Sequence, residues 1–498
     1  MTKIHLAKKV LQICLLVLII VSGNGFAQVG IGTITPNTSA ALDITSTTQG
    51  MLTPRMTTTQ RTAITTPADG LIVYDTTLKS FYYYNSTTAS WTRINSDVSA
   101  RNKFKRIKST DVLATLLADE LAAGSGTKYV LDATTYYEIN GTITFNLPID
   151  INGAYVAGID TNDDKLVRTS GNLFEGSTGG SIRNVTLQVT GGGKVFNLSG
   201  ATTQNLLFRD SVVTGSSNVG SITGFGWVFV SIVQYIGNTN GIVYDSITRL
   251  LINNTGWFSS NTGIYEKLQG TFGLVQKLGG FMEITGTGVG FDVSSNPVIT
   301  NDAVMEAVVY SGTLTVGGAY VKPYTSGNYV GYNFNNKWNV RSSGIPTEAD
   351  VSATGEFSTS TNLTPTTGFP VTVDNAGTAA KIGPVTTSTA LFRFAATTSG
   401  RLTYEGFKKR IVKVTGSMSF VADSAGKTGI YVFYIAKNGV IIPQSKIYAF
   451  TGSITDTATV PINGSVEMNV SDYLEVFVDY FSGPAGKIKV TSLSLTAF

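Results

Sequence analysis

The sequence predicts an all-β protein: a right-handed parallel β-helix shaft followed by a C-terminal antiparallel sandwich. Three observations predict it. Charged residues make up only 14% of the 498, glycine contributes 54, and β-branched and aromatic residues are plentiful. That composition favours pleated sheet over helix or disorder. Between about 170 and 340, four segments lie over one another, led by Phe196, Tyr244, Tyr265 and Phe291. Their spacings of 48, 21 and 26 residues give a unit near 24 if the first spans two units, the size of one coil of three short strands. Beyond residue 369, about eight stretches alternate apolar and polar residues at sandwich length. One of them, "YIAKNGVII", predicts a hairpin turning at Asn438–Gly439.

The chain divides accordingly. Residues 1–27 read as a secretory signal: Lys3, Lys8 and Lys9 precede an apolar run from Val10 to Gly23, and small residues precede Gln28. Retention as an N-terminal anchor is the alternative. Cys14 lies inside the apolar run, away from a lipoprotein cleavage position. Residues 28–97 form an N-terminal attachment or spacer module. Within it "MTTTQRTAI" (Met56 to Ile64) predicts a turn or two of helix, and the segment from Asp69 to Ile94 a hairpin turning near Leu78–Lys79, with "SWTRI" following after a short loop. Residues 98–345 hold a capping helix and the β-helix. The basic run Arg101 to Lys108 reads as a solvated linker. The helix falls within 109–126, capped by Ser109 or Thr110 and ended by Gly124. It covers the open edge of the first coil. Residues 346–368 lose the period and read as a linker, and 369–498 form the sandwich.

Composition narrows the chemistry. The only histidine, His5, and the only cysteine, Cys14, fall within the signal. A mature chain would hold no Ser-His-Asp triad, cysteine nucleophile, thiolate or imidazole zinc site, or disulfide. Loss of three lysines takes the net charge from +4 to about +1. No basic stripe suits a nucleic acid, no ligand series resembles a calcium loop, and Gly191 to Gly193 lacks a phosphate-loop context. No cofactor, metal or nucleic-acid partner is therefore expected.

Glycan hydrolysis would need two carboxyl groups about 5–9 Å apart, one of them protonated. The candidates are Asp160, Asp163 and Asp164 in "GIDTNDDK", with Glu175, and Asp210 and Asp245 further on. Lyase chemistry would draw on Arg168 or Arg183. The same acids also read as Asn/Asp turns between coils, so no catalytic set is favoured. Trp227, Trp257, Tyr265 and Trp338, with Tyr235, are candidates for a sugar-stacking strip. The alternative is that they fill coil interiors or a trimer seam.

Three resemblances add to this. "VGIGT" (Val29 to Thr33), Pro36, "ALDI" (Ala41 to Ile44), "GMLTPRM" (Gly50 to Met56), "QRTAI" (Gln60 to Ile64) and "VYDTT" (Val73 to Thr77) resemble a module of secreted and phage-encoded proteins of the Bacteroidetes. That resemblance implies an exported or virion-surface protein with an attachment partner on cell or particle. It also brings an O-glycan motif, matched at Asp75-Thr76-Thr77, Asp210-Ser211-Val212, Asp245-Ser246-Ile247, Asp423-Ser424-Ala425 and Asp456-Thr457-Ala458. The coil pattern with its capping helix resembles the pectate-lyase-like β-helices of phage fibres, tailspikes and polysaccharide-degrading enzymes. The C-terminal strands resemble a C1q/TNF-like jelly roll, which implies a homotrimer. Together these imply a non-enzymatic extracellular or cell-surface fibre or adhesin subunit that binds a surface receptor, a glycan, through its C-terminal head. A tailspike-like depolymerase and a purely structural fibre subunit are the alternatives, and a virion surface is the alternative location.

Overall fold

The structure is a computed structural model that describes residues 2–20, 28–94, 103–373, 376–424, 429–483 and 486–498. The chain forms two compact units, Met1–Asn102 and Lys103–Phe498.

The first unit opens with a helix, Thr2–Ile20. Among the described residues, no helix is long and apolar enough to cross a membrane. The small residues before the expected cleavage point, at 25–27, lie outside the described residues. After it, the quoted motifs turn out to be each other's partners. Val29–Ile31 pairs in parallel with Leu42–Ile44, and Arg55–Met56 with Ile72–Asp75. The helix Thr58–Thr62 starts at a capping box between Thr57 and Gln60. It delivers Arg61 to Asp75 at 2.9 Å, both side chains buried, with the guanidinium 4.1 Å from the Tyr82 ring centre. The hairpin turns at 76–79, where Lys79 takes a positive φ, and a third strand, Ser90–Arg93, extends the sheet.

The second unit begins with a parallel β-solenoid. One face stacks nine strands and a larger sheet holds thirteen. The column of register partners Phe174, Phe196, Gly220, Ile242, Glu266 and Phe291 climbs in steps of 22 to 25 residues. The first predicted gap does span two coils, because Gly220–Thr223 stands between the strands of Phe196 and Tyr244. The four leading aromatics share this face but not one column: Tyr244 pairs with Leu268, and Tyr265 sits one residue before Glu266. Side chains alternate between the interior and the outer face along strands such as Asn205–Thr214, and each coil stacks on its neighbours.

The larger sheet contains the other two strands of each coil. In early coils these are separate, as in Gly180–Arg183 and Thr186–Val189. In later coils they run on as one bent strand, such as Asn205–Thr214 or Trp227–Ile236. The bend is a column of positive-φ residues: Asn184, Asp210, Ile232, Asn254, Gly279 and Ala307. Asn, Asp and Gly suit that conformation.

Three expectations are corrected. Phe104–Lys108, read as solvated linker, is the first strand of the larger sheet, and two of its three cations are paired: Lys105 with Glu120 at 2.8 Å and Arg106 with Glu138 at 2.5 Å. The capping helix is two short helices, Leu113–Leu116 and Ala118–Ala123, begun without a side-chain cap from Ser109 or Thr110. They still seat Leu117 in the solenoid core. Finally, Gly355–Thr359, inside the expected linker, is a strand that pairs with Gly486–Ala497.

That C-terminal strand runs through the middle of a six-stranded sheet, and a seven-stranded sheet holds the remaining strands. Both are antiparallel and share one apolar core, separate from the solenoid's. The hairpin at Asn438–Gly439 has positive φ at both residues, the geometry of a two-residue hairpin turn.

Candidate functional site

The proposed catalytic carboxylates do not converge. Asp160, Asp163 and Asp164 form one tight turn at the bend between two coil faces. The backbone N–H groups of Asp163 and Asp164 donate to the Asp160 carbonyl at 3.1 and 2.8 Å. The buried Asp164 carboxylate accepts backbone N–H groups from Gly141, Ile159 and Asp160 at 2.8, 2.7 and 3.0 Å. Burial pushes its pKa up, but the three N–H groups outweigh burial and leave it lowered. Asp164 is thus held ionised and engaged with the chain, unlike the protonated acid that glycoside cleavage requires.

Glu175 stands on the nine-stranded face, away from that bend, and accepts the Asn172 side-chain amide. Asp210 is a bend residue 3.6 Å from Arg209, and Asp245 accepts the Gln269 amide at 2.9 Å. Arg168 is buried against the Phe145 carbonyl, and Arg183 lies over the Tyr155 ring. Burial lowers the Arg168 pKa, and Glu175 partly opposes that. Among the described residues, no group of three or more His, Cys, Asp or Glu could hold a metal ion.

The aromatic candidates separate into two sets. Trp257, Tyr265 and Tyr235 pack together inside the solenoid, with Trp257 and Tyr265 stacked at 4.4 Å. Trp338 is also interior and donates its indole N–H to the Tyr324 hydroxyl at 3.0 Å. These four fill coils and offer no face to a sugar. Trp227 differs. It is half-buried on the outer face of the larger sheet and stacks with Phe229 at 6.1 Å.

A site the motif search missed lies where the solenoid meets the sandwich. A cleft of about 620 Å³ is walled by the sheet rows at Leu274, Asp302 and Lys337, by Asp350, and by the loop from Phe407 to Ile411. Its centre is a polar knot. The Asp350 carboxylate pairs with buried Arg393 and accepts the backbone N–H of Phe407 at 3.1 Å and of Lys408 at 2.6 Å. Arg393 also donates to the carbonyls of Trp338 and Glu348. Arg410 donates to the carbonyls of Asp350 and Ala353. The knot ties shaft, connecting segment and head at positions up to 60 residues apart, which pure periodicity cannot reveal. "GFKKR" (Gly406 to Arg410) was the one available signal, a charge cluster in a chain poor in charge.

The fold and this junction define a class: a parallel solenoid joined to an antiparallel sandwich, preceded by a separate small module. One comparison with known proteins bears on the module. Residues 30–110 match the model of the phage tail like trimerisation region, so self-association of this chain, as a trimer, fits. No curated protein matches the sequence. Among solved structures, the PRD1 vertex protein P5 is 12% identical, over 29% of this chain and 95% of its own, with a TM-score of 0.21. The enzymatically active domain of tailspike protein 4 of bacteriophage CBA120 is 11% identical, over 90% and 77%, also with a TM-score of 0.21. Likeness at that level says nothing of activity.

Proposed function

We propose that the chain is a non-enzymatic, trimeric fibre or adhesin subunit, displayed outside the cell or on a virion, that recognises a surface receptor, a glycan, through its C-terminal part. The observation that supports this most is the order of parts: a trimerisation-type region, then a stacked-coil solenoid, then a sandwich with its own core. Such a layout sets a recognition head on a rigid support. In this reading residues 1–27 direct export, the module after them is of the Bacteroidetes type, and the head is C1q/TNF-like.

The experiment is a glycan array probed with the full chain, alongside a reducing-sugar assay on the glycans captured. Capture without sugar release is expected. Sugar release that Asp163→Ala abolishes would replace this reading with a tailspike-like depolymerase. Absence of capture would leave a structural fibre subunit.

A further inference from the structure

The junction cleft carries an unbalanced charge. Arg393 is neutralised by Asp350, and Lys409 by Glu467 at 3.2 Å. Among the described residues, Lys337, Lys408 and Arg410 pair with no carboxylate: Lys337 sits 4.6 Å from the Phe407 ring centre, and Arg410 donates to carbonyls. One unpaired acid, Asp302, opposes these three cations. This excess is local, since the whole chain carries only +4 on 498 residues.

The cleft also continues outward. Register along the larger sheet sets Trp227 beside Arg249 and Arg249 beside Leu274. Two further strands follow, whose pairing places Asp302 and Lys337 in the same row. At about 4.8 Å per strand the row is about 19 Å long. It starts at a half-buried tryptophan, passes the exposed Arg249, which has no ion-pair partner among the described residues, and ends among the three cations. The polar knot holds both walls of the cleft in place without a ligand, so little ordering cost attends binding.

We propose that this row and cleft bind an extended anionic saccharide, its acid groups on Lys337, Lys408, Arg410 and Arg249 and its sugar faces on Trp227 and Phe407. Asp302 accepts hydrogen bonds from sugar hydroxyls. The proposal rests on the glycan-recognition reading above and adds the class of glycan and its location. A guanidinium suits carboxylate or sulfate equally, so the acid group itself is left to the experiment.

The test uses the full chain on an array of carboxylated, sulfated and neutral microbial polysaccharides, at two salt concentrations. Acidic members should bind in preference, weaken as salt rises, and divide into carboxylate or sulfate binders. Lys337→Glu with Lys408→Glu should cut their binding at least about tenfold. The milder Lys337→Gln with Lys408→Gln should give an intermediate loss, with circular dichroism unchanged in both. Capture of neutral glycans alone, or acidic binding indifferent to both double variants, would overturn this proposal and leave the recognition reading intact. No capture of any glycan would overturn both. Loss of the trimer in either variant, seen by light scattering, would make the cleft an interface between copies and also end the proposal.

Discussion

Glu266 and Lys277 face each other inside the solenoid, each about 1% exposed, in columns otherwise filled by residues such as Ile242, Phe291, Ile252 and Met305. The Lys277 ammonium donates to Oε1 at 3.1 Å and lies 2.9 Å from Oε2 without a directed bond to it. Thr255 accepts a second bond at 3.2 Å. Burial drives the Glu266 pKa up and the Lys277 pKa down, and each partner restrains the other's shift. Lys277→Met alone strands a buried carboxylate and should cost about 3–5 kcal/mol in denaturant unfolding. Glu266→Leu with Lys277→Met should be neutral or more stable, by up to about 4 kcal/mol. In the N-terminal unit the balance is reversed. Burial raises the Asp75 pKa, but the N–H groups of Leu78 and Thr77 with Arg61 and Thr58 lower it to about 2. A depressed carboxylate contributes stability above its unfolded pKa near 4, lost as pH falls through about 2. Amide protection of residues 55–94 by hydrogen exchange should therefore hold from pH 7 to 4 and drop between 4 and 2, and Asp75→Asn should reduce that pH dependence, leaving the share of Asp69, whose pKa is lowered by its hydrogen bonds from Ser86.

At the scale of the coil, the bends and corners govern. Ile232 takes a φ of +54° while 53% exposed, where a β-branched side chain is strained and contributes little burial. Ile232→Asn should raise stability by about 1 kcal/mol, read as a higher unfolding midpoint. A second device is a stacked polar ladder at the corner after the long strands. The Asn238 carboxamide donates to the Val213 carbonyl at 2.9 Å and accepts the Ser216 N–H at 3.0 Å. Asn261 repeats the pattern one coil on, accepting the Asn238 N–H at 2.7 Å. Asn238→Leu leaves buried groups unpaired and should cost about 2–4 kcal/mol. The 24-residue period, the hairpin at Asn438–Gly439 and the turn at "DTNDD" were legible, because turn residues and alternation are local. The inward register was not. Tyr265 looked like the coil's leading aromatic in "GIYEKLQG", yet it is Glu266 that stacks between Ile242 and Phe291, although both side chains are buried, because only the pairing of neighbouring coils decides which residue joins that column.

At the scale of the molecule, self-association requires apolar surface within the trimerisation-type region. Val29, Ile31, Leu42 and Ile44 lie on one face of a two-stranded sheet and are 37% to 54% exposed in the single chain. A second copy can cover that face. Ile31→Asp with Ile44→Asp should turn the trimer into monomer in light scattering, with the solenoid's circular dichroism kept. The amino-acid sequence by itself determined the all-β class, the coil length and the sandwich hairpins, and it limited the chemistry by holding a single His and a single Cys. Those properties follow from composition and short-range alternation. Only the tertiary structure decided that Trp257, Tyr265 and Trp338 are core, that Asp164 serves its own turn, that 104–108 and 355–359 are strands, and that Lys337, Lys408 and Arg410 share one cleft. The physical reason is that burial and charge pairing belong to partners one coil or more away, and sequence periodicity carries no record of which neighbour a side chain meets.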